Sequence, residues 1–144
     1  MSWSQIRTYF NGEIATALPD MKEWRDAFNI ENVPRTLLDT YYHLSINAGT
    51  STSAQDATVQ DQMSVLLTVW RKGTSDMSLT QDELWDIAYC IRQAVINPRN
   101  VHIFDGDILA VENTQMRSEP IDLSNDNVVQ IQLEFNVRMY FSVI

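Results

Sequence analysis

The strongest constraint on the fold is an alternation of apolar and polar residues near the end of the chain. From residue 129 to residue 139 every odd position is apolar and every even position is polar. Successive side chains of a β-strand point to opposite faces, so this pattern predicts a long strand with one face on a core. The apolar positions are Val129, Ile131, Leu133, Phe135, Val137 and Met139.

Two earlier stretches alternate in the same way and predict a hairpin. The first runs through Tyr42, Leu44 and Ile46, and the second runs from Met63 to Val69. Residues 47–58 between them are small and polar, which predicts a long loop at the hairpin tip. Residues 103–115 predict a further strand with a bend at residues 105–107, and residues 118–127 predict a second polar loop.

Two segments carry apolar residues at the three- and four-residue spacing of an amphipathic helix. Ser2 and Gln5 form a possible capping box for the first, as do Thr80 and Glu83 for the second. Pro19 and Pro98 end the two helices, while residues 21–36 predict irregular structure or a short helical turn. The apolar stripes are Ile6, Tyr9, Phe10, Ile14 and Leu18 in the first helix, and Leu84, Ile87, Ala88, Ile91 and Val95 in the second.

The elements together predict an α+β fold in the order α-β-β-α-β-β. Hairpins favour a mainly antiparallel four-stranded sheet, with the two amphipathic helices packed on one of its faces. The 144 residues fit one domain, spanning residues 1–144, and no composition shift marks an internal boundary.

Charge and cysteine content narrow the possible functions. Nineteen acidic residues against ten basic ones give a net charge of −9, which disfavours sequence-independent binding to nucleic acid. The single cysteine, Cys90, excludes an internal disulfide bond. Because the sequence has neither a secretory signal pattern nor an apolar run long enough for a membrane span, we expect a cytosolic protein without membrane contact.

The residues with chemical potential do not form a recognisable catalytic or cofactor motif. The four glycines are scattered, so no phosphate-binding loop is predicted. His43, Cys90 and Asp39 could in principle act as base, nucleophile and orienting acid, but Cys90 lies in a predicted helix as a small apolar residue. We therefore expect no catalytic residue and no cofactor.

A calcium site is the one metal centre that the sequence suggests, and its pattern is incomplete. Asp105 and Asp107 flank Gly106, with Asp122 and Asp126 further along the chain. A calcium loop needs additional oxygen ligands and a closing glutamate, which this stretch lacks. Asp-Gly is also a common turn signal, so we expect no bound metal.

Several large apolar residues fall on the outward parity of the predicted strands. Such residues either form a protein interface or are ordinary strand formers lying on a half-solvated face. The sequence leaves both readings open. The residues are Tyr41, Leu66, Trp70, Tyr140 and Ile144.

The order of elements resembles that of bacteriophage tail terminator (tail completion) proteins. An amphipathic helix from Ile6 to Leu18 precedes the Val33-Pro34 step into a hairpin spanning Asp39 to Arg71. A helix beginning Leu84-Trp85-Asp86-Ile87-Ala88-Tyr89 and paired strands from Val128 to Ile144 follow. The chain departs from the family where Arg35 to Leu38 intervene before the first strand.

The resemblance implies a structural virion protein and not an enzyme. Such proteins form a homo-oligomeric, hexameric ring on the head-proximal end of the tail tube. The ring ends tube polymerisation, docks to head-completion and neck proteins, and lets DNA pass through its lumen without specific binding. The implied location is the virion tail, after assembly in the host cytoplasm. Candidate contacts with tube or neck lie in the two polar loops, at Thr50, Ser51, Thr52, Asp122 and Asp126.

Three alternatives remain open at this point. The first is another neck component, such as a head–tail connector, stopper or adaptor. The second is a small regulatory module that binds peptides at a sheet edge. The third is an enzyme without a recognised motif, which ranks last because no residue constellation supports it.

Overall fold

The computed structural model describes residues 3–25, 33–53, 58–103, 107–123 and 126–142. Two α-helices, one 3₁₀ helix and six strands follow one another along this part of the chain. In order they are α1 (Trp3–Ala17), β1 (Lys22–Glu23), the 3₁₀ segment (Arg35–Thr40), β2 (Tyr41–Ser53), β3 (Thr58–Lys72), α2 (Met77–Val95), β4 (Asn97–Ile103), β5 (Asp107–Leu123) and β6 (Asp126–Ser142).

All six strands belong to one sheet, in the order β1-β2-β3-β6-β5-β4. Every neighbouring pair is antiparallel except β1 and β2, which run parallel. The α+β class and the mainly antiparallel sheet are therefore confirmed, whereas the prediction of four strands is wrong. The two additional strands, β1 and β4, escaped the sequence pattern because β1 has two residues and β4 begins at Asn97-Pro98, which resembles only a helix stop.

The two long polar loops predicted at residues 47–58 and 118–127 are largely strand. β2 continues to Ser53, β5 continues to Leu123 and β6 begins at Asp126. Gly, Asn and Asp have little strand propensity of their own, but residues 48–53 and 118–123 each lie opposite a ladder partner on the neighbouring strand. The tips at residues 54–57 and 124–125 lie outside the described residues, as do residues 105 and 106 of the bend predicted at 105–107, while Asp107 is the first residue of β5.

The helices α1 and α2 pack on one face of the sheet, which we call the helix face. Most of both apolar stripes is buried there against the odd-numbered residues of β6, as the spacing predicts, while Tyr9, Leu18 and Ile87 are partly buried against the same core. Phe10 of α1 meets Phe135 of β6 edge to face, with 5.4 Å between ring centroids. Tyr9 also donates a hydrogen bond from its hydroxyl to the carbonyl of Val95, 3.0 Å away, and joins the two helices.

The start of α2 differs from the capping box that the sequence suggests. The helix begins one turn earlier, at Met77, and the Asp76 side chain caps it by accepting a hydrogen bond from the backbone of Leu79 at 3.0 Å. Thr80 is buried inside the first turn, and its hydroxyl lies 3.1 Å from the carbonyl of Asp76. The predicted end before Pro98 is confirmed, because α2 stops at Val95.

Candidate interaction surface

The face of the sheet opposite the helices, here called the open face, is covered at one end by the 3₁₀ segment. Leu38 of this segment and Val33 just before it pack against Trp70 of β3 and Val128 of β6. Trp70 is only 5% exposed, and its indole N–H donates to Oε1 of Gln130 at 2.9 Å. The prediction of an aromatic interface is therefore wrong at Trp70, because the segment that delays the first strand folds back over this side chain.

Ion pairs hold the 3₁₀ segment in place. Arg71 at the end of β3 contacts Asp39 of the segment at 2.6 Å and Glu83 of α2 at 2.5 Å. Arg35 contacts Asp126 at the start of β6 at 3.1 Å. Asp126, predicted as a contact with another protein, is thus engaged within the chain.

The remainder of the open face carries polar side chains that bond across the strands. Gln130, which accepts from Trp70, donates through its own amide to Glu119 at 3.0 Å. Arg117 donates to the amide oxygen of Gln132 at 2.6 Å, and Asn136 donates to Glu112 at 3.1 Å. These cross-strand bonds fix the side chains in place, so the open face presents an ordered hydrophilic surface.

A shallow groove of about 280 Å³ crosses this face where the sheet is irregular. The register shifts between Ile46 and Ala48 in β2, and between Asn113 and Gln115 in β5, on either side of the β3–β6 pair at the same level. Such bulges bend a sheet and increase its twist. The groove is lined by Gly49, Gln62, Ser64, Thr114, Glu134, Phe135 and Asn136.

Side chains near the second bulge supply donors to the central strand. The carbonyl of Glu134 accepts from the Asn113 amide at 2.9 Å and from the Thr114 hydroxyl at 3.2 Å. Amide, hydroxyl and carboxylate groups line the groove together with apolar atoms, so it offers both hydrogen bonds and apolar contact to a partner segment.

The other predicted site residues are spread over the sheet. Tyr41 lies half-buried with its ring edge-on to Trp24, 5.3 Å between centroids, and Leu66 is half-buried on the open face opposite Glu134. Asp122 is exposed near the end of β5. Ile144 and the side chain of Tyr140 lie outside the described residues. Thr50, Ser51 and Thr52 stand in β2 at the register positions of Gln62, Asp61 and Gln60.

A buried ionic cluster at the start of the sheet was not apparent in the sequence. The carboxylate of Glu23, only 5% exposed, contacts Arg7 at 2.9 Å and Arg25 at 3.2 Å. Asn11 joins Glu23 to Tyr42, whose hydroxyl donates to the Asn11 side-chain oxygen. Burial raises the pKa of Tyr42 to about 12, and the Glu23 carboxylate adds to this rise while Arg25 opposes it.

This cluster joins α1, β1 and β2, and its buried groups are consistent with a structural role. Glu23 in β1 bonds to Arg7 and Asn11 of α1, so the two-residue strand is fixed by side chains as well as by its ladder. No spacing in the sequence could have revealed it, because the members come from distant positions.

The three residues weighed as catalytic partners are not brought together. His43 lies on the open face with Nδ1 2.9 Å from the carbonyl of Trp24, whereas Cys90 lies on α2 across the sheet. Asp39 pairs with Arg71 instead. Within the described ranges, no three acidic, histidine or cysteine side chains gather as a metal site requires, and no helix is long and apolar enough to cross a membrane.

The comparisons with known proteins leave the family open. No model of a known protein family matches the chain, and no curated protein is detectably similar to it.

Proposed function

We propose that the chain is the subunit of a ring that caps the head-proximal end of a phage tail tube. The observation that carries this proposal is the order of the elements: an amphipathic helix, a proline-led step, a long hairpin, a second amphipathic helix and a closing long hairpin. The one departure from the terminator pattern is the segment from Arg35 to Leu38 before the first strand. This segment is part of the 3₁₀ helix that follows Pro34, and it covers Trp70.

The surface of the subunit is compatible with this role. The open face is hydrophilic and ordered, with Glu112, Glu119 and Glu134 placed along it. A net charge of −9 repels phosphate, so DNA passing such a surface would not adhere to it. Ring formation would cover the tube end and remove the template on which the next tube subunit adds.

The direct test is to add the purified protein to tail tubes during their polymerisation. We expect elongation to stop and rings to appear at one end of each tube in electron micrographs. A ring of six 16.6-kDa chains has a mass of about 100 kDa, which light scattering measures. Tubes that continue to elongate, together with a protein that stays monomeric, would refute the proposal.

A binding assay distinguishes the tube cap from the second candidate role, that of another neck component. Another neck component would bind DNA-filled capsids or their neck proteins and leave the growth of tail tubes unchanged. Capsids and tubes should therefore be offered separately, with binding followed by co-sedimentation.

A further inference from the structure

The sheet has two long unpaired edges, one on β2 and one on β5, because the outermost strands β1 and β4 are short. β1 pairs only with Tyr41 and Tyr42 of β2, and β4 pairs with β5 only up to Val111. Within the described part of the chain, no strand pairs with the outer edge of β2 from residue 44 to residue 53, or with that of β5 from residue 112 to residue 123. Backbone N–H and C=O groups on such edges are a template for a further strand.

The edge of β2 lacks the features that keep natural edges from pairing. Between Tyr41 and Ser53 the sequence contains no Asp, Glu, Lys, Arg or Pro. Ile46, on this edge, is one of the large apolar side chains left exposed, at 38%. An edge strand of this length without charge or proline is an aggregation hazard unless a partner covers it.

The register identifies the backbone groups that face outward. The carbonyl of Tyr42 accepts from the backbone N–H of Trp24 at 2.6 Å, so Tyr42 faces away from β3. Because alternate residues face the same edge, Leu44 and Ile46 also face outward. The outward direction on β5 follows from the cross-strand pairs. Tyr42 lies opposite Val69, Val69 opposite Ile131, and Ile131 opposite Ser118. Backbone groups alternate between the two sides of each strand along this row, so those of Ser118 face away from β6.

The same alternation explains Pro120 of β5. Two residues beyond Ser118, it also faces outward, where its missing N–H removes no ladder bond to β6. Among the described residues, the outward carbonyl of Pro120 and the N–H and carbonyl groups of Met116, Ser118 and Asp122 have no ladder partner, so they are open to a partner strand.

We propose that the open edge of β2 pairs with the open edge of β5 from a second copy of this chain, so that sheets join head to tail. This inference rests on one part of the proposed function, the assembly of copies of the chain into a ring. It does not require that the ring cap a tail tube. From β2 to β5 the strand direction reverses three times. A copy related by rotation about an axis along the strands therefore presents an antiparallel partner, and head-to-tail contacts of this kind close into rings.

The two open stretches are offset along the sheet by an amount that suits a closed ring. The stretch on β2 lies level with residues 133–141 of β6, and the stretch on β5 lies level with residues 126–136. Their midpoints differ by about six residues, roughly 20 Å, while four strands span roughly 19 Å across the sheet. Matching the stretches therefore tilts the strands by about 45° from the ring axis, at the upper end of the range for closed barrels.

This stagger also leaves room for both short outer strands. When adjacent copies are shifted by six residues along the strands, the open stretch of β2 in one copy lies level with residues 127–135 of β6 in the next copy. β4 occupies the levels of residues 137–140, just past that stretch. β1 falls just beyond the end of β5, which stops level with Asp126. Because the shift is an even number of residues, outward-facing residues of β2 lie opposite outward-facing residues of β5. Their side chains also lie on the same face of the sheet, as continuous pairing requires.

Complementation between two edge variants tests the pairing. Ile46→Pro removes an outward N–H on β2, and Ser118→Pro removes one on β5; neither deletes an internal ladder bond. We expect each variant alone to be monomeric by sedimentation velocity and their mixture to form 1:1 dimers, because each retains one intact edge. Ile46→Lys should repeat the first result, and Leu79→Lys, which charges an exposed apolar side chain on α2, should assemble like the wild type.

A cysteine pair tests the register. The six-residue stagger places Thr50 opposite Arg117 of the next copy, and Thr50→Cys with Arg117→Cys, in a Cys90→Ser chain, should give disulfide-linked ladders on non-reducing gels. Thr50→Cys with Glu119→Cys, two residues away, should link at least tenfold less. Efficient linkage of this control pair and not of the first would overturn the stagger.

The outcomes separate this inference from the proposed function. Rings that survive both proline substitutions overturn the edge pairing while leaving a tube-capping role standing. Assembly of Ser118→Pro alone into dimers means that β2 pairs with β2, which also overturns it. Edge-dependent rings that ignore tail tubes support the pairing and refute the cap. A wild-type chain that stays monomeric at millimolar concentration, with and without tubes, refutes both.

Discussion

Truncation of Trp70 to alanine tests whether the open face has a core of its own. The side chain is almost fully covered by Val33, Leu38 and Val128, and its indole N–H bonds to Gln130. Removing a buried tryptophan lowers the free energy of unfolding by about 3–5 kcal/mol. With a urea m-value of about 2 kcal/mol/M, the unfolding midpoint should fall by roughly 1.5–2.5 M.

The measurement is urea unfolding followed by far-ultraviolet circular dichroism, which does not depend on which tryptophan is removed. Trp70→Phe keeps an aromatic ring and should lose about 1–2 kcal/mol, including the hydrogen bond to Gln130. Tyr89→Ala, which truncates an aromatic residue that is 55% exposed, should change stability by less than about 1 kcal/mol. A loss below about 1 kcal/mol for Trp70→Ala would show that the 3₁₀ segment does not cover this ring.

Three further predictions concern stability. Gly73→Ala should destabilise by about 1–3 kcal/mol in urea unfolding, because its Cβ would lie 2.8 Å from the carbonyl of Asn127; Gly12→Ala, with open space in α1, should stabilise by about 0.5–1 kcal/mol. Asp76→Ala should cost about 1 kcal/mol, since it removes the cap of α2, and an unchanged midpoint would contradict this. Stability should fall as pH rises from about 10 to about 12, because the raised pKa of Tyr42 favours the protonated phenol in the folded state; Tyr42→Phe should flatten this fall in pH-dependent unfolding.

The periodic parts of the fold could be read from the sequence because burial sets their period. Ile6, Phe10 and Ile14 repeat on one helix face, and Phe135 marks the inward parity of β6. The strand count could not be read in the same way. Neither the two residues of β1 nor the Pro98-containing β4 has enough alternation to be distinguished from a loop, and both depend on a neighbouring strand for their ladder.

The site was harder to predict than the fold, because sequence parity says which way a side chain points but not what covers it. Trp70 has the predicted outward parity, yet a segment more than thirty residues earlier in the chain buries it. Small polar residues favour turns, so the sequence predicts a loop at Thr50, whereas Thr50 stands in an edge strand. Conversely, the absence of charge between Tyr41 and Ser53 was visible in the sequence and acquires meaning only once that stretch is known to be an edge.

The seam between β3 and β6 has a consequence for how the chain folds. Lys72 pairs with Val128 and Thr58 with Ser142, separations of 56 and 84 residues (128 − 72 and 142 − 58). Each flanking hairpin can form from local contacts, but the seam must close a loop that contains α2 and β4, so its closure should limit the folding rate. Leu133→Ala in the seam should therefore slow refolding more than it accelerates unfolding, and the opposite partition would show that the seam closes after the barrier. A subunit could therefore join an assembly only after β3 and β6 have paired and its two hairpins form one sheet.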